Sequence, residues 1–286
     1  FKMREYKNLT IFFLSYFSKI KIEKIVKKIN SNIKVLIIDN ARENGLKKYF
    51  EKKFKNVKVI VTNYNKGESG GVNIGLKYIK TKYALKMDSD INFKNSVIDK
   101  FLQTASYVKD FVILAPQHEK NFYKQDFLSK YKSKFKNLQL MKLIHGQFIF
   151  LNMKNVKKVG YYDENFFLYF EETDFCLRAY RKKQKIYVIN NAKVEHEGGW
   201  SVNLKNKLEI ETNKHWHYMW SKFYYYKKNY STFLAYKKTL PDLATSIIKM
   251  LFFLFFDKRK TLIYYNKILG LMSSYFGKKS YKRLKI

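Results

Sequence analysis

Apolar residues run in short, unbroken blocks through the first third of the chain. Leu9 to Phe17 (LTIFFLSYF), Ile33 to Asp39 (IKVLIID), Val57 to Asn63 (VKVIVTN) and Tyr83 to Asp88 (YALKMD) are strand-sized and rich in β-branched and aromatic residues. Between them the spacing changes. Ile22, Ile25, Val26 and Ile29 recur at helical intervals, Leu46, Tyr49, Phe50 and Phe54 predict the buried side of a short helix over 46–54, and Gly70 to Lys80 predicts a helix entered through glycines. Strands that are apolar without alternation have both faces covered, and strands alternating with helices join in parallel. The first half therefore predicts an α/β fold: a mainly parallel sheet with helices on both faces.

The second half is less regular. Phe111 to Pro116 (FVILAP), Gly146 to Asn152 (GQFIFLN) and Lys185 to Ile189 (KIYVI) predict further strands. The stretch ETDFCLRAYRKK has helical spacing and opens on acids, which are favourable at a helix N-terminus. From about Asn203 the pattern turns helical, aromatic and basic, and Pro241 predicts a break between two C-terminal helical regions. One large domain over residues 1–228 with a helical extension over 229–286 accounts for the length.

Composition narrows the class. Of 286 residues, 46% are hydrophobic and 18% aromatic, enough for a sizeable core and against disorder. Cys176 is the sole cysteine, so no intrachain disulfide forms. No apolar run reaches the roughly 20 residues that span a bilayer; the longest, Leu243 to Phe256, is shorter and contains Lys249. The run Leu9 to Phe17 lacks the cleavage site of a secretory signal, and a cytoplasmic location is expected. The formal charge is +35, but the excess is nearly all lysine, spread along the chain. Arginine is the preferred reader of phosphate forks and base edges, and it is scarce, so no nucleic-acid partner is expected. The tail alternates LATSIIKMLFFLFF with lysine-rich stretches, which fits an interfacial anchor on an anionic membrane surface or a packing element of a homodimer.

Candidate chemistry collects where the predicted strands end. Ligands of open α/β sheets bind at the carboxyl ends of the strands, and Asp39-Asn40, Asn63 to Gly71 and Asp88-Ser89-Asp90 fall there. Two carboxylates one residue apart offer the oxygen donors that Mg²⁺ and Mn²⁺ prefer. If strand geometry continues through them, Asp88 and Asp90 share a face. Gly67, Gly70, Gly71 and Gly75 permit close backbone approach to a ligand or a tight strand-to-helix turn; their spacing is neither a Walker loop nor a dinucleotide fingerprint. His215 and His217, two apart on a helix, point to different sides and read as core or interface rather than metal ligands.

In their order along the chain, IIDNARENG, NYNKGESGGVNIGLKYI, LKMDSD, FFLYFEETDFCLRAY and VEHEGGWS resemble the motifs of inverting glycosyltransferases of family 2, with the GT-A fold. The resemblance covers roughly Leu9 to Lys228 and points to the rhamnosyltransferase-like branch of bacterial surface-polysaccharide synthesis. It implies a UDP- or dTDP-sugar donor, a saccharide or lipid-linked acceptor, a divalent cation (Mn²⁺ or Mg²⁺) and a peripheral location on the inner face of the cell membrane. It assigns Asp90 to the metal, Asp88 to the ribose or the metal's waters, and His196 to the metal or diphosphate. Asp39 would meet the base, and Asn65 and Gly67 the nucleotide. The base that deprotonates the acceptor falls among Glu171, Glu172 and Asp174. Glu172 stands where the family usually has Asp, and position favours it. Two other readings remain: a catalytically inert scaffold with this fold, and a basic nucleic-acid-binding protein, which would need Arg-rich patches or a recognition motif.

Overall fold

The structure, a computed structural model, describes residues 5–118, 134–196 and 207–284. The chain divides into two compact units. One comprises Phe1–Lys66, Gly71–Tyr162 and Phe175–Asn203; the other comprises Gly67–Gly70, Asp163–Asp174 and Leu204–Ile286.

The first unit carries the sheet. Its strands are β1 (Leu9–Ser15), β2 (Lys34–Asp39), β3 (Val57–Val61), β4 (Tyr83–Met87), β5 (Ile91–Phe93), β6 (Phe111–His118), β7 (Leu138–Met141), β8 (Phe148–Asn152) and β9 (Lys185–His196). They lie in the order β3-β2-β1-β4-β8-β6-β9-β5, with β7 also on β9. The first four strands are parallel, as the unbroken apolar blocks predict. Antiparallel β8 then joins β4, and the rest of the sheet is mixed.

Helices cover both faces. Along β1, Leu9, Ile11 and Phe13 enter one core with Leu46 and Phe50 of α2 (Leu46–Lys53) and Phe101 of α4 (Ser96–Tyr107); α1 (Lys19–Val26) adds Ile22 and Ile25. Phe12 enters the other core, with Val72 and Leu76 of α3 (Gly67–Tyr78), Val156 of α5 (Met153–Val159) and Phe175 and Ala179 of α6 (Glu171–Arg181). This is the period-2 split of a strand buried on both sides. A Cβ on Gly71 would run into the Leu14 side chain, and one on Gly75 into Phe12. At these two positions glycine sets α3 close against β1.

The second unit is helical: α7 (Lys207–Asn229), α8 (Thr232–Phe253) and α9 (Lys258–Tyr275). Met219, Phe223, Ala235 and Leu271 form its core. Ser231 and Asp257 start α8 and α9 by accepting the amides of Leu234 (3.1 Å) and Lys260 (2.9 Å). Pro241 does not break the chain, contrary to the sequence reading, but lies inside α8. It sits on the exposed side, as does Lys237, whose carbonyl would lose its helical donor. Water can satisfy that carbonyl, while buried Ala235, Thr239 and Ser246 hold the opposite face. The helix therefore passes through the proline.

His217 is core, as read from its spacing. Its Nε2 lies 2.8 Å from the Lys282 carbonyl, which can only accept, so Nε2 carries the proton and Nδ1 accepts from Ser280 Oγ at 2.9 Å. Its ring stacks on Phe167. Burial pushes the imidazole down to about 3, from 6.5. Between those values the unfolded chain takes a proton that the folded chain refuses. Stability should therefore fall as pH drops from 6.5 toward 3, by up to roughly 5 kcal/mol from this group. Denaturant melts of wild type and His217→Gln across that range would check it: the variant should be less stable near neutrality and lose this part of the acid slope. Parallel pH profiles would refute it.

Candidate active site

The strand ends line up at one edge of the first unit. Ser15 pairs with Asp39 and Asp39 with Val61. Asp39 is fully buried. Its two carboxylate oxygens accept the amides of Ala41 (3.1 Å) and Glu43 (2.9 Å), so it builds the loop that follows β2. Burial raises its pKa against the opposing pull of those amides. Burial, then the neighbouring Asp39, also raises Glu43. Asn40 extends the arrangement: its amide donates to Asn65 Oδ1 (3.0 Å) and its carbonyl oxygen accepts the Lys66 amide (2.8 Å). Asn65 thus sits beside the end of β2, although 25 residues separate it from Asn40.

The Asp-Ser-Asp stretch does not continue the strand. The Asp88 amide still bonds Gln147 O (2.8 Å), and the chain then turns through Ser89 and Asp90 into β5. The shared-face argument from strand alternation therefore fails. The turn instead places buried Asp90 immediately before Ile91, which pairs with His196 at the end of β9. Two segments far apart in sequence meet here through the backbone. The His196 side chain and the loop after it lie outside the described residues. Lys86, buried on β4, reaches Asp88 Oδ1 at 2.6 Å. Sequence reasoning passed over Lys86, whose signal is a lone lysine inside an otherwise apolar strand.

The donor set fits a hard divalent cation. Asp88 and Asp90 supply only oxygen, on a tight turn beside the β9 terminus. No cluster of three or more His, Cys, Asp or Glu side chains suited to a metal occurs among the described residues. A separate cleft of about 560 Å³ lies at α1 and α2, where Lys19, Lys48, Lys52 and Lys53 surround Tyr49; Asp39, Asp88 and Asp90 do not line it.

The acidic segment lies in the second unit up to Asp174, and α6 continues in the first. Tyr169 and Phe170, just before Glu171, both have φ of 68°. Left-handed conformation costs energy for bulky residues, and such strain concentrates at functional sites. Aromatic packing holds it: both rings meet Tyr218, Phe170 also meets Tyr225, and Ser221 Oγ donates to Leu168 O at 2.8 Å. Burial, then the charges of Glu171 and Glu172, push the Tyr169 phenol up to about 12. Glu171 is buried and Glu172 half-buried.

Asp174 is different. It is fully buried, and its Oδ1 accepts from Lys228 (2.7 Å) and Asn229 (2.9 Å). Lys228 also pairs with Asp163 at 2.8 Å. Burial alone would raise the Asp163 pKa, but Lys228 and Asn165 outweigh it and hold the carboxyl below its ordinary value. The three charges tie the acidic segment to α7. In the first unit, Arg178 donates to the carbonyls of Val159, Gly160 and Tyr161, and Asn73 exchanges two 2.9 Å bonds with the backbone of Tyr162. Asn73 and Arg178 thus hold the backbone of residues 159–162, roles that sequence reasoning left unassigned.

The profile of glycosyl transferase family 2 matches residues 19–163, just over half of the chain. The chain belongs to that family. The match spans β2 through the Asp88–Asp90 turn and stops at Asp163. A curated relative, a low-salt glycan biosynthesis hexosyltransferase of Haloferax volcanii, is 23% identical over 198 residues, covering 63% of this chain. The chain spans 64% of that relative's length. Among solved structures, a mannosyltransferase of Pyrobaculum calidifontis in complex with GDP-Man and Mn²⁺ aligns over 95% of this chain and 88% of its own, with a TM-score of 0.59 and 9% identity. GalNAc-T7 with UDP, GalNAc and Mn²⁺ aligns over 83% of this chain and 57% of its own, with a TM-score of 0.54 and 11% identity. At that identity these two establish the GT-A-like fold.

Proposed function

We propose that this family 2 protein is a metal-dependent inverting glycosyltransferase that moves a sugar from a nucleotide-diphosphate donor to a saccharide or lipid-linked acceptor in surface-polysaccharide synthesis. The observation that carries the reading is the Asp88–Asp90 turn at the end of a parallel strand, inside the span that matches the family. The hexosyltransferase relative and the nucleotide and Mn²⁺ complexes of the two fold neighbours support it.

Asp90, with Asp88 and His196, would hold Mn²⁺ or Mg²⁺, which when bound offsets the charge on a departing diphosphate. Asp39 and Asn65 would shape the place for the nucleoside through the loop they bond, with Gly67 serving the nucleotide. Glu172 takes the proton of the acceptor hydroxyl; Asp174, ion-paired and enclosed, is assigned to holding the segment in place. Transfer is assigned to residues 1–228, and residues 229–286, which begin as α7 ends, serve as an extension at the inner face of the membrane. No helix among the described residues is long and apolar enough to cross a membrane, which suits a peripheral attachment. The donor is a UDP- or dTDP-sugar, hexosyl or rhamnosyl; uracil and thymine present nearly the same hydrogen-bonding edge.

An inert scaffold with this fold is the second reading, favoured by the Lys86–Asp88 ion pair, which occupies one of the metal-facing carboxylates. A screen of UDP-, dTDP- and GDP-sugars by thermal stabilisation, in Mn²⁺ and in EDTA, separates the two. A donor at about 100 times its Kd adds roughly 2.7 kcal/mol, a shift of several degrees in melting temperature. One nucleotide class should stabilise the protein in Mn²⁺. No stabilisation by any of them would favour the scaffold.

A further inference from the structure

The distal half of α8 and the turn into α9 leave an apolar surface open. Phe253 stacks on Tyr264 of α9 and fastens the turn from inside. Its neighbours face outward: Phe252, Phe255 and Phe256 are 62%, 83% and 77% exposed, and Ile248, Leu251 and Leu254 are exposed beside them. A contiguous patch of this kind on a soluble surface marks an interaction site.

Charge says what the partner is. Lys249, Lys258, Arg259 and Lys260 flank the patch, and all are exposed, Arg259 being paired with Glu211 at 2.8 Å. The sole acid within the turn, Asp257, is engaged in capping α9 and pairing with Lys260. Two copies meeting symmetrically on this patch would bring like cations together, which disfavours that contact. An anionic bilayer meets both features: rings enter the headgroup boundary while ammonium groups stay among the phosphates.

We propose that the α8–α9 turn, through Phe252, Phe255 and Phe256 with the flanking lysines, inserts shallowly into an anionic lipid surface. The turn docks on the membrane without crossing it. The inference deepens the peripheral location proposed above and stands apart from the transfer chemistry. No residue of the patch belongs to the donor or acidic segments.

The test uses the full chain and flotation on two vesicle types: phosphatidylcholine alone, and phosphatidylcholine with phosphatidylglycerol. Wild type should float with the anionic vesicles, less so in high salt, and should not float with the neutral ones. Phe252→Ser/Phe255→Ser/Phe256→Ser should lower the anionic partition by roughly tenfold or more, since three exposed rings lose their apolar burial. Its melting temperature and its donor response in the screen should match wild type, so a failed transferase reading and a failed membrane reading give different results. Phe255→Trp should retain binding and show an emission shift to the blue, relative to its parent, on anionic vesicles alone. The proposal is overturned if wild type fails to bind anionic vesicles, or if the triple variant floats undiminished, which would assign binding to the general charge of the chain. It is overturned too if the triple variant instead turns a dimer into a monomer by light scattering, which would make the patch a contact between copies.

Discussion

Glu172→Gln should lower sugar transfer by about 10²–10⁴-fold while leaving donor affinity nearly unchanged. The amide keeps the side chain's shape and much of its hydrogen bonding, but it takes no proton at neutral pH. The setting of Glu172 suits a base: it is half-buried, on the first turn of a helix that directly follows the left-handed Tyr169–Phe170 pair. Asp174→Asn is the companion. It removes the buried charge opposite Lys228, so its expected effect is on stability, roughly 1–3 kcal/mol, with Lys228 still paired to Asp163. Glu171→Gln completes the set. Donor affinity is measured alongside transfer for all three. If Asp174→Asn is inactive with donor bound while Glu172→Gln turns over normally, the base is Asp174. If all three remain active, the carboxylate-base mechanism fails.

Asp90→Ala should abolish the metal-dependent part of donor binding. Asp90 is buried in the turn between β4 and β5, and replacement by alanine removes one of the two carboxylates assigned to the metal. The expected loss of Mn²⁺ affinity is at least about 10–100-fold, given that even outer partners of a metal site carry that much. Lys86→Met should act in the opposite direction. Its ammonium, 2.6 Å from Asp88 Oδ1, repels a cation and competes for the carboxylate. Its removal should tighten Mn²⁺ binding, as read by electron paramagnetic resonance without any sugar present. Weaker binding in Lys86→Met would mean that the ion pair holds the turn in shape.

The parallel half of the fold was legible because its strands are uninterrupted apolar blocks; β4 ends within a residue of its expected limit and β2 begins within one. Legibility fell where pairing, rather than pattern, makes the strand. β5 has three residues and β7 four, and each exists by pairing with β9. β9 itself runs past KIYVI through the polar Asn190 and Asn191 to His196, because β6 and β5 continue to supply partners across a register shift at Pro116/Gln117. The helix Ser96–Tyr107 adds to the elements read from sequence, although Val97, Ile98, Phe101, Leu102 and Ala105 follow helical spacing. Pro241 misled because an exposed carbonyl tolerates the loss of one helical donor.

The candidate residues were legible as types and less so as geometry. Asp39 reads from the sequence as a contact to the base; the structure adds that its carboxylate accepts the Ala41 and Glu43 amides of the loop after β2. Asp88 and Asp90 were read on a strand face, yet Asp90 lies on a turn. Nothing in the letters Tyr169 and Phe170 announces a left-handed pair, because only packing against Tyr218 and Tyr225 makes it tolerable. The Asp174–Lys228 ion pair joins residues 54 apart and is invisible to local spacing.

The central claim is a nucleotide-sugar donor held through a cation at Asp90. Calorimetric titration of the stabilising donor into wild type and Asp90→Ala, each in Mn²⁺ and in EDTA, tests it directly. Binding by wild type in Mn²⁺, with a large loss in EDTA and the same weak residual for Asp90→Ala under both conditions, is the expected result. Equal donor affinity in all four titrations would contradict the claim.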